Sequence, residues 1–205
     1  MWARRATRAR LLAARYPASR EILIFYAGLA EWQGEAAARA VSPHELLPGL
    51  VELVLRTGPT VLQQAASGLL GLPELDAPPP LDFFARAARQ PLAAAQQITA
   101  ATAEAISPRC SWCGQPPQAG ALRPEGDGLA LELVCSLCFR RWLFPRLRCP
   151  ACGESAEGRL VLYSAPEFEH LGLEACETCH TYLQLVDLRR DTAQSRVRIY
   201  SRRRA

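Results

Sequence analysis

Cys110-Ser111-Trp112-Cys113-Gly114, Cys135-Ser136-Leu137-Cys138, Cys149-Pro150-Ala151-Cys152-Gly153 and Cys176-Glu177-Thr178-Cys179 punctuate the C-terminal half of this 205-residue chain and account for all eight of its cysteines. A Cys-x-x-Cys turn points two sulfurs at one place while nearby backbone N–H groups aim at them. Two such turns at the ends of a β-hairpin supply four tetrahedral ligands. Residues 114–134 separate the first two pairs and residues 153–175 the last two, and both gaps fit a hairpin. The gap between the middle pairs is much shorter, about one strand. The simplest assignment is two consecutive sites, Cys110/Cys113/Cys135/Cys138 and Cys149/Cys152/Cys176/Cys179. Gly114 and Gly153 directly follow their pairs, where such a turn often needs positive φ.

Working outward from the cysteines, the intervening runs read as strands. Gly120 to Arg123 and Leu129 to Val134 flank Gly126-Asp127-Gly128, a good hairpin turn. Arg159 to Tyr163 and Leu171 to Ala175 form a second expected hairpin, and Tyr182 to Leu188 with Arg196 to Tyr200 a third expected pair.

Before Ser107 there is no cysteine and the pattern is helical. Trp2 to Arg15 has amphipathic spacing and stops at Tyr16-Pro17. Ser19 is placed to cap a second helix with Ile22, Leu23, Tyr26, Leu29 and Ala30 on one face. Ser42-Pro43-His44-Glu45 is a capping box, and its helix carries Leu46, Leu47, Leu50, Leu53 and Val54 up to Thr57-Gly58-Pro59. A short helix is expected from Thr60 to Leu70. Pro78-Pro79-Pro80 reads as a stiff connector. Asp82 then caps a longer helix towards Ile106, with Pro91 as its kink or break. The expected class is α+β: a helical domain over residues 1–107, a first rubredoxin-like or zinc-ribbon β subdomain over 108–148, and a second over 149–205 ending in a basic tail.

Composition narrows the chemistry. All 24 basic residues are Arg, and there is no Lys or Asn, which argues against reading each Arg as chosen for guanidinium chemistry. No stretch reaches the ~18 apolar residues of a membrane span. Arg4-Arg5 is not followed by a long apolar run with a cleavage site, so a reducing cytoplasm is the expected compartment, where paired cysteines serve as metal ligands or redox groups. Deprotonation of eight thiols and uptake of two divalent ions would together bring the formal +4 to zero. Arg109, Arg140, Arg141, Arg146 and Arg148 lie beside the pairs and are placed to offset negative sites. Two metal ions per chain are expected. Zinc and iron both accept four sulfurs, and spacing does not separate them. His44, His170 and His180 are not needed as ligands, and the sequence holds no Ser/His/Asp set, Walker loop or dinucleotide fingerprint.

The same residues resemble the formate dehydrogenase accessory protein family, FdhE. The family's pattern is matched by Cys110-x-x-Cys113-Gly114, Cys135-x-x-Cys138, Trp142, Arg146-x-x-Cys149-x-x-Cys152 and Glu174-x-Cys176-x-x-Cys179-x-Thr181-Tyr182-Leu183. Gln184 stands where the family usually has Lys, and residues 8–33 carry a weaker likeness to its leading helices. The helical part is shorter than is usual in the family. The basic run Arg202-Arg203-Arg204 replaces an acidic, Leu-rich ending. The resemblance implies a non-enzymatic, chaperone-like maturation factor that acts in the cytoplasm on the catalytic subunit of formate dehydrogenase and carries rubredoxin-like iron. The expected contact surface is the aromatic and Arg group Trp142, Arg148, Thr181 and Tyr182. Two other classes compete. A nucleic-acid-binding zinc ribbon is disfavoured because the Arg are mixed with acids and no aromatic-basic strip is present. A rubredoxin-like electron carrier has no need of a large helical domain.

Overall fold

The Glu45 backbone N–H donates to the Ser42 hydroxyl at 3.4 Å, and the Ser42 N–H donates to the Glu45 carboxylate at 2.8 Å. These reciprocal bonds start a helix at Pro43, as the capping box requires. The computed structural model describes residues 1–39, 41–69, 79–96 and 107–190. The chain divides into two compact units, Met1–Ala100 and Ala101–Ala205. In the first unit the described helices are α1 (Trp2–Arg15), α2 (Arg20–Ala36), α3 (Pro43–Thr57), α4 (Thr60–Leu69) and α5 (Pro79–Gln96). None is long and apolar enough to cross a membrane.

Small residues let α1 and α2 approach closely. Ala6, Ala9, Ala27 and Ala30 form a buried contact, and a two-pronged Arg10–Glu31 ion pair (2.6 and 2.7 Å) closes over it at the surface. The main core lies among α2, α3 and α5, around Phe25, Leu29, Leu50, Val54, Phe84 and Ala88.

Several expectations for these helices shift. On α2, Leu29 and Ala30 are buried as expected and Leu23 is half-buried, but Ile22 and Tyr26 are exposed, and Phe25, Ala27 and Gln33 join the buried face. The small residues that pack on α1 rotate the helix away from its most apolar stripe. Ser19 occupies the N-cap of α2 but makes no side-chain capping bond. Two residues of the expected proline connector, Pro79 and Pro80, begin α5, as Pro can in a first turn. Asp82 therefore lies in the first turn, where it pairs with Arg86 at 2.7 Å. Pro91 does not end α5, because Gln33 donates to the carbonyl of Ala87 at 3.0 Å and replaces the N–H that proline lacks. Pro78 and residues 97–106 lie outside the described residues.

Among the described residues the second unit forms one six-stranded sheet of order β3-β2-β1-β6-β5-β4. Its strands are β1 (Pro117–Glu125), β2 (Gly128–Cys135), β3 (Arg141–Phe144), β4 (Leu160–Ser164), β5 (Leu171–Cys176) and β6 (Tyr182–Asp187). Both expected hairpins form: Leu122 faces Leu131 across β1/β2, and Tyr163 faces Leu173 across β4/β5. In each half the third strand then lies against the second, so β3 pairs with β2 and β6 with β5.

The halves join by a parallel pairing of β1 with β6, with Ala119, Gly120, Ala121 and Leu122 opposite Gln184, Leu185, Val186 and Asp187. Gly120 makes this seam possible. A Cβ there would lie 2.7 Å from Leu131 Cδ1, 2.8 Å from Leu185 Cδ2 and 3.2 Å from Leu183 Cδ2. The partners of Tyr182 to Leu188 are thus β5 and β1. Arg196 to Tyr200, expected as its partner, lie outside the described residues.

Candidate metal centres

Four turns with one backbone design carry the cysteines. In each, the N–H of the first Cys donates to the carbonyl five residues on: Cys110 to Gln115 (3.0 Å), Cys135 to Arg140 (2.8 Å), Cys149 to Glu154 (2.8 Å) and Cys176 to Thr181 (2.9 Å). The fifth residue of each turn has positive φ: Gly114 at 70°, Phe139 at 59°, Gly153 at 82° and His180 at 56°. Glycine marks two of these positions in the sequence. Phe139 and His180 carry no such signal, since L-residues with a side chain usually avoid the left-handed region that these two adopt. His180 is thereby a turn residue, with its N–H donating to the Cys176 carbonyl at 2.9 Å.

The turns meet in pairs, as the spacing required. Cys110, Cys113, Cys135 and Cys138 converge, as do Cys149, Cys152, Cys176 and Cys179, and the sulfurs of each group lie within 4.8 Å of one another. Separations in the first cluster are 3.6 Å (Cys110–Cys138), 3.3 Å (Cys113–Cys135) and 3.6 Å (Cys113–Cys138). In the second they are 3.7 Å for both Cys149–Cys179 and Cys152–Cys176. A tetrahedral ion with metal–sulfur bonds of about 2.3 Å sets its sulfurs about 3.8 Å apart, so each cluster could hold one metal ion. Backbone N–H groups of Leu137 and Ala151 donate to the Cys135 and Cys149 sulfurs, each at 3.4 Å.

The electrostatics favour thiolate at chosen positions. The Cys138 thiol donates towards Cys135, pushing Cys135 down to about 5, and the same contact holds Cys138 up. Burial pushes Cys113 up to about 11. In the second cluster the Thr181 hydroxyl lies 2.9 Å from the Cys179 sulfur and holds that thiol down at about 6. Glu154 ties this cluster's two turns together. Its carboxylate accepts the Ser155 and Ala156 N–H groups at 2.8 Å and the Thr178 hydroxyl at 2.7 Å, which lowers its own pKa. Nothing in the sequence singles out Glu154 except its place after Gly153.

The clusters differ in access. Cys110, Cys135 and Cys138 are buried and Cys113 is half-buried. In the second cluster Cys152 is exposed and Cys179 half-buried. Among the Arg expected beside the sites, Arg109 donates to the Gly114 carbonyl at 3.2 Å, while Arg141 pairs with Glu132 at 3.3 Å.

The four residues expected at a contact surface do not behave alike. Trp142 is buried, and its indole N–H donates to the Ser107 carbonyl at 2.7 Å. It faces Leu133 across β2/β3 as a core residue, which removes it from an exposed contact surface. Thr181 turns its hydroxyl to the second cluster, and Tyr182 is 64% exposed. Arg148 is exposed beside Gly153. A cleft of about 220 Å³ opens beside the second cluster, lined in part by Pro116, Pro150, Leu160, Glu174, Thr181 and Tyr182. Burial there raises the Glu174 carboxyl above its usual range.

Fold and site define a class: a protein with a helical unit and a sheet of two fused four-cysteine ribbons. No protein-family model matches the chain. It is similar to proteins called "Protein FdhE homolog". The one from Aquifex aeolicus is 28% identical over 83 residues, 40% of this chain and 29% of the relative. That from Stutzerimonas stutzeri is 38% identical over 76 residues, 37% of this chain and 25% of the relative. That from Pseudomonas aeruginosa is 35% identical over 83 residues, 37% and 26% of the two chains. The matched segments thus span about a quarter of these relatives' length. The crystal structure of the FdhE protein from Pseudomonas aeruginosa shares the fold, with a TM-score of 0.69 over 93% of this chain and 84% of that one, at 23% identity. Over the cysteine region the chain is thus similar in sequence to FdhE homologues, and its fold is that of the Pseudomonas aeruginosa FdhE protein.

Proposed function

We infer that this protein is an accessory factor of formate dehydrogenase, which binds the catalytic subunit of that enzyme in the cytoplasm and is needed for its activity without oxidising formate itself. The observation that carries the reading is the donor set. Four sulfurs surround one point in each cluster, so an ion held there has a complete tetrahedral shell and no position for a substrate. Likeness to FdhE homologues supplies the client. All eight cysteines serve as ligands, for zinc or for rubredoxin-like iron. When bound, the ion staples its two turns, and iron would add a one-electron couple. The chain's own part is to hold the sulfurs as thiolates through backbone N–H groups and the Thr181 hydroxyl.

The client contact lies at the rim of the cleft beside the second cluster, with Tyr182 as its exposed aromatic anchor and Arg148 and Thr181 near it. Deleting the gene in its host tests the reading. Formate dehydrogenase activity should vanish while the catalytic subunit is still made, and purified protein should capture that subunit. Normal activity in a strain with no second such gene overturns the proposal. Unchanged capture by the Tyr182→Ala, Arg148→Ala double variant overturns only the proposed rim.

A further inference from the structure

The two ribbons repeat one another in strand pairing, apart from a bulge at Gln118 that the second ribbon lacks. Across β1/β2, Cys135 faces Pro117 and Leu133 faces Gly120. Across β4/β5, Cys176 faces Leu160 and Glu174 faces Leu162. Third strands follow suit, since Val134 faces Arg141 and Ala175 faces Tyr182. Matching the paired cysteines sets Val161, Leu162, Tyr163 and Ser164 of the second ribbon in the places of Ala119, Gly120, Ala121 and Leu122 of the first. Those four residues of β1 are the ones along which β6 runs in parallel. The ribbons are therefore stacked head to tail, and among the described residues nothing fills beside β4 the position that β6 fills beside β1.

That open edge lacks the usual protection. Edge strands commonly carry charges, proline or bulges that prevent further pairing. Val161-Leu162-Tyr163-Ser164 has no charge and no proline, and its register with β5 is unbroken. Leu162 is 61% and Tyr163 54% exposed, on opposite faces of the strand, and Phe168 and Leu171 nearby in the chain are exposed as well. Among the described residues, no backbone group outside β5 bonds to these four residues. The first ribbon shows what covers this position: an extended strand whose Leu183 and Leu185 pack over the seam.

We propose that the outer edge of β4 takes an extended segment of a partner polypeptide as a seventh strand, running parallel to β4, as β6 runs along β1. Its apolar residues alternate, and because Leu162 stands where the first ribbon has Gly120, the segment carries small residues opposite Leu162 rather than leucines like Leu183 and Leu185. A parallel strand ends beside the turn that carries exposed Glu167 and Glu169, so the segment is followed by a basic residue. Strand β3 of a second copy is a poor source. The strand equivalent to β6 in the first ribbon is β3, which has only four residues, and Pro145, which follows it, has no N–H to pair.

Choosing the formate dehydrogenase catalytic subunit as the source of probes rests on the function proposed above. Short overlapping peptides tiling that subunit are mixed with the full-length protein, and hydrogen exchange is read at 161–164. The expected result is that peptides with alternating apolar residues and a following Arg or Lys slow exchange there. Leu162→Glu with Tyr163→Glu should weaken the best peptide at least about tenfold. The milder Leu162→Ser, Tyr163→Ser pair should weaken it less, both variants keeping two metals per chain. The proposal is overturned if no peptide protects 161–164, or if both variants bind as the parent does. Two further results overturn it. One is an edge already protected in the free protein and released by Val197→Asp with Ile199→Asp. The other is a concentration-dependent oligomer abolished by Leu162→Glu. Whole-subunit capture is measured in parallel: its absence in the parent protein counts against the function, whereas capture without protection of β4 counts against the edge alone.

Discussion

The Gln33 side-chain amide donates to the Ala87 carbonyl at 3.0 Å, and Ala87 is the residue whose carbonyl Pro91 leaves without a helical donor. Gln33 also reaches Gln90 at 2.8 Å, is 1% exposed, and lies on a different helix from its partners. A buried polar group between apolar helices is stable there because both ends of the defect are satisfied together.

Replacing Gln33 by Leu therefore leaves the Ala87 carbonyl buried without a donor. The expected cost is about 1–3 kcal/mol, read from denaturant unfolding followed by helical circular dichroism. Pro91→Ala returns an N–H to that carbonyl. In a double-mutant cycle the Gln33→Leu change should then cost less. Equal costs in both backgrounds would show that the amide does not repair the helix.

The two clusters should load and release metal independently. Cys110→Ser with Cys113→Ser should remove one metal per chain and leave the other, by metal analysis. A chromogenic chelator should draw metal in two phases, the faster from the second cluster, whose Cys152 is exposed. Cys152→Ser should abolish the fast phase. Loss of both metals from a one-site variant would mean that ligation is shared.

Metal removal should spare the helical unit. Helices α1 to α5 contain no cysteine and bury their own core around Leu50, Val54 and Phe84. The helical dichroism signal should persist after chelation while the sheet signal changes. Its collapse would show that both units fold together.

Thr181→Val removes the hydroxyl that donates to Cys179. In metal-free protein the Cys179 thiol should rise from about 6 towards the ordinary thiol range, as read by thiolate absorbance. The sign follows from proton counting. A thiol depressed in the folded state contributes stability that is full above the unfolded thiol pKa and lost as pH falls through about 6. Thr181→Val should flatten that dependence and weaken metal affinity by about 10–100-fold.

Gly120→Val tests the seam between the ribbons. A side chain there meets three buried leucine ends on β2 and β6, so the change should cost about 1–3 kcal/mol and raise hydrogen exchange along β6. An unchanged exchange pattern would show that the leucines move aside freely.

The sequence by itself determined the two four-cysteine groupings, both hairpins, the left-handed turns at Gly114 and Gly153, and the start of α3 at its capping box. Each is a local property: two cysteines three apart, a glycine after them, a Ser three residues before a Glu. Only the tertiary structure decided that β6 lies beside β1, that Trp142 is buried, that Phe139 and His180 adopt positive φ, and that α5 passes through Pro91. These depend on residues distant in the chain. An extended run signals that it will pair but not with which edge, and an apolar stripe signals burial but not which neighbour selects its rotation. A proline signals a missing donor, but the amide that replaces it comes from another helix, where nothing in the local pattern announces it.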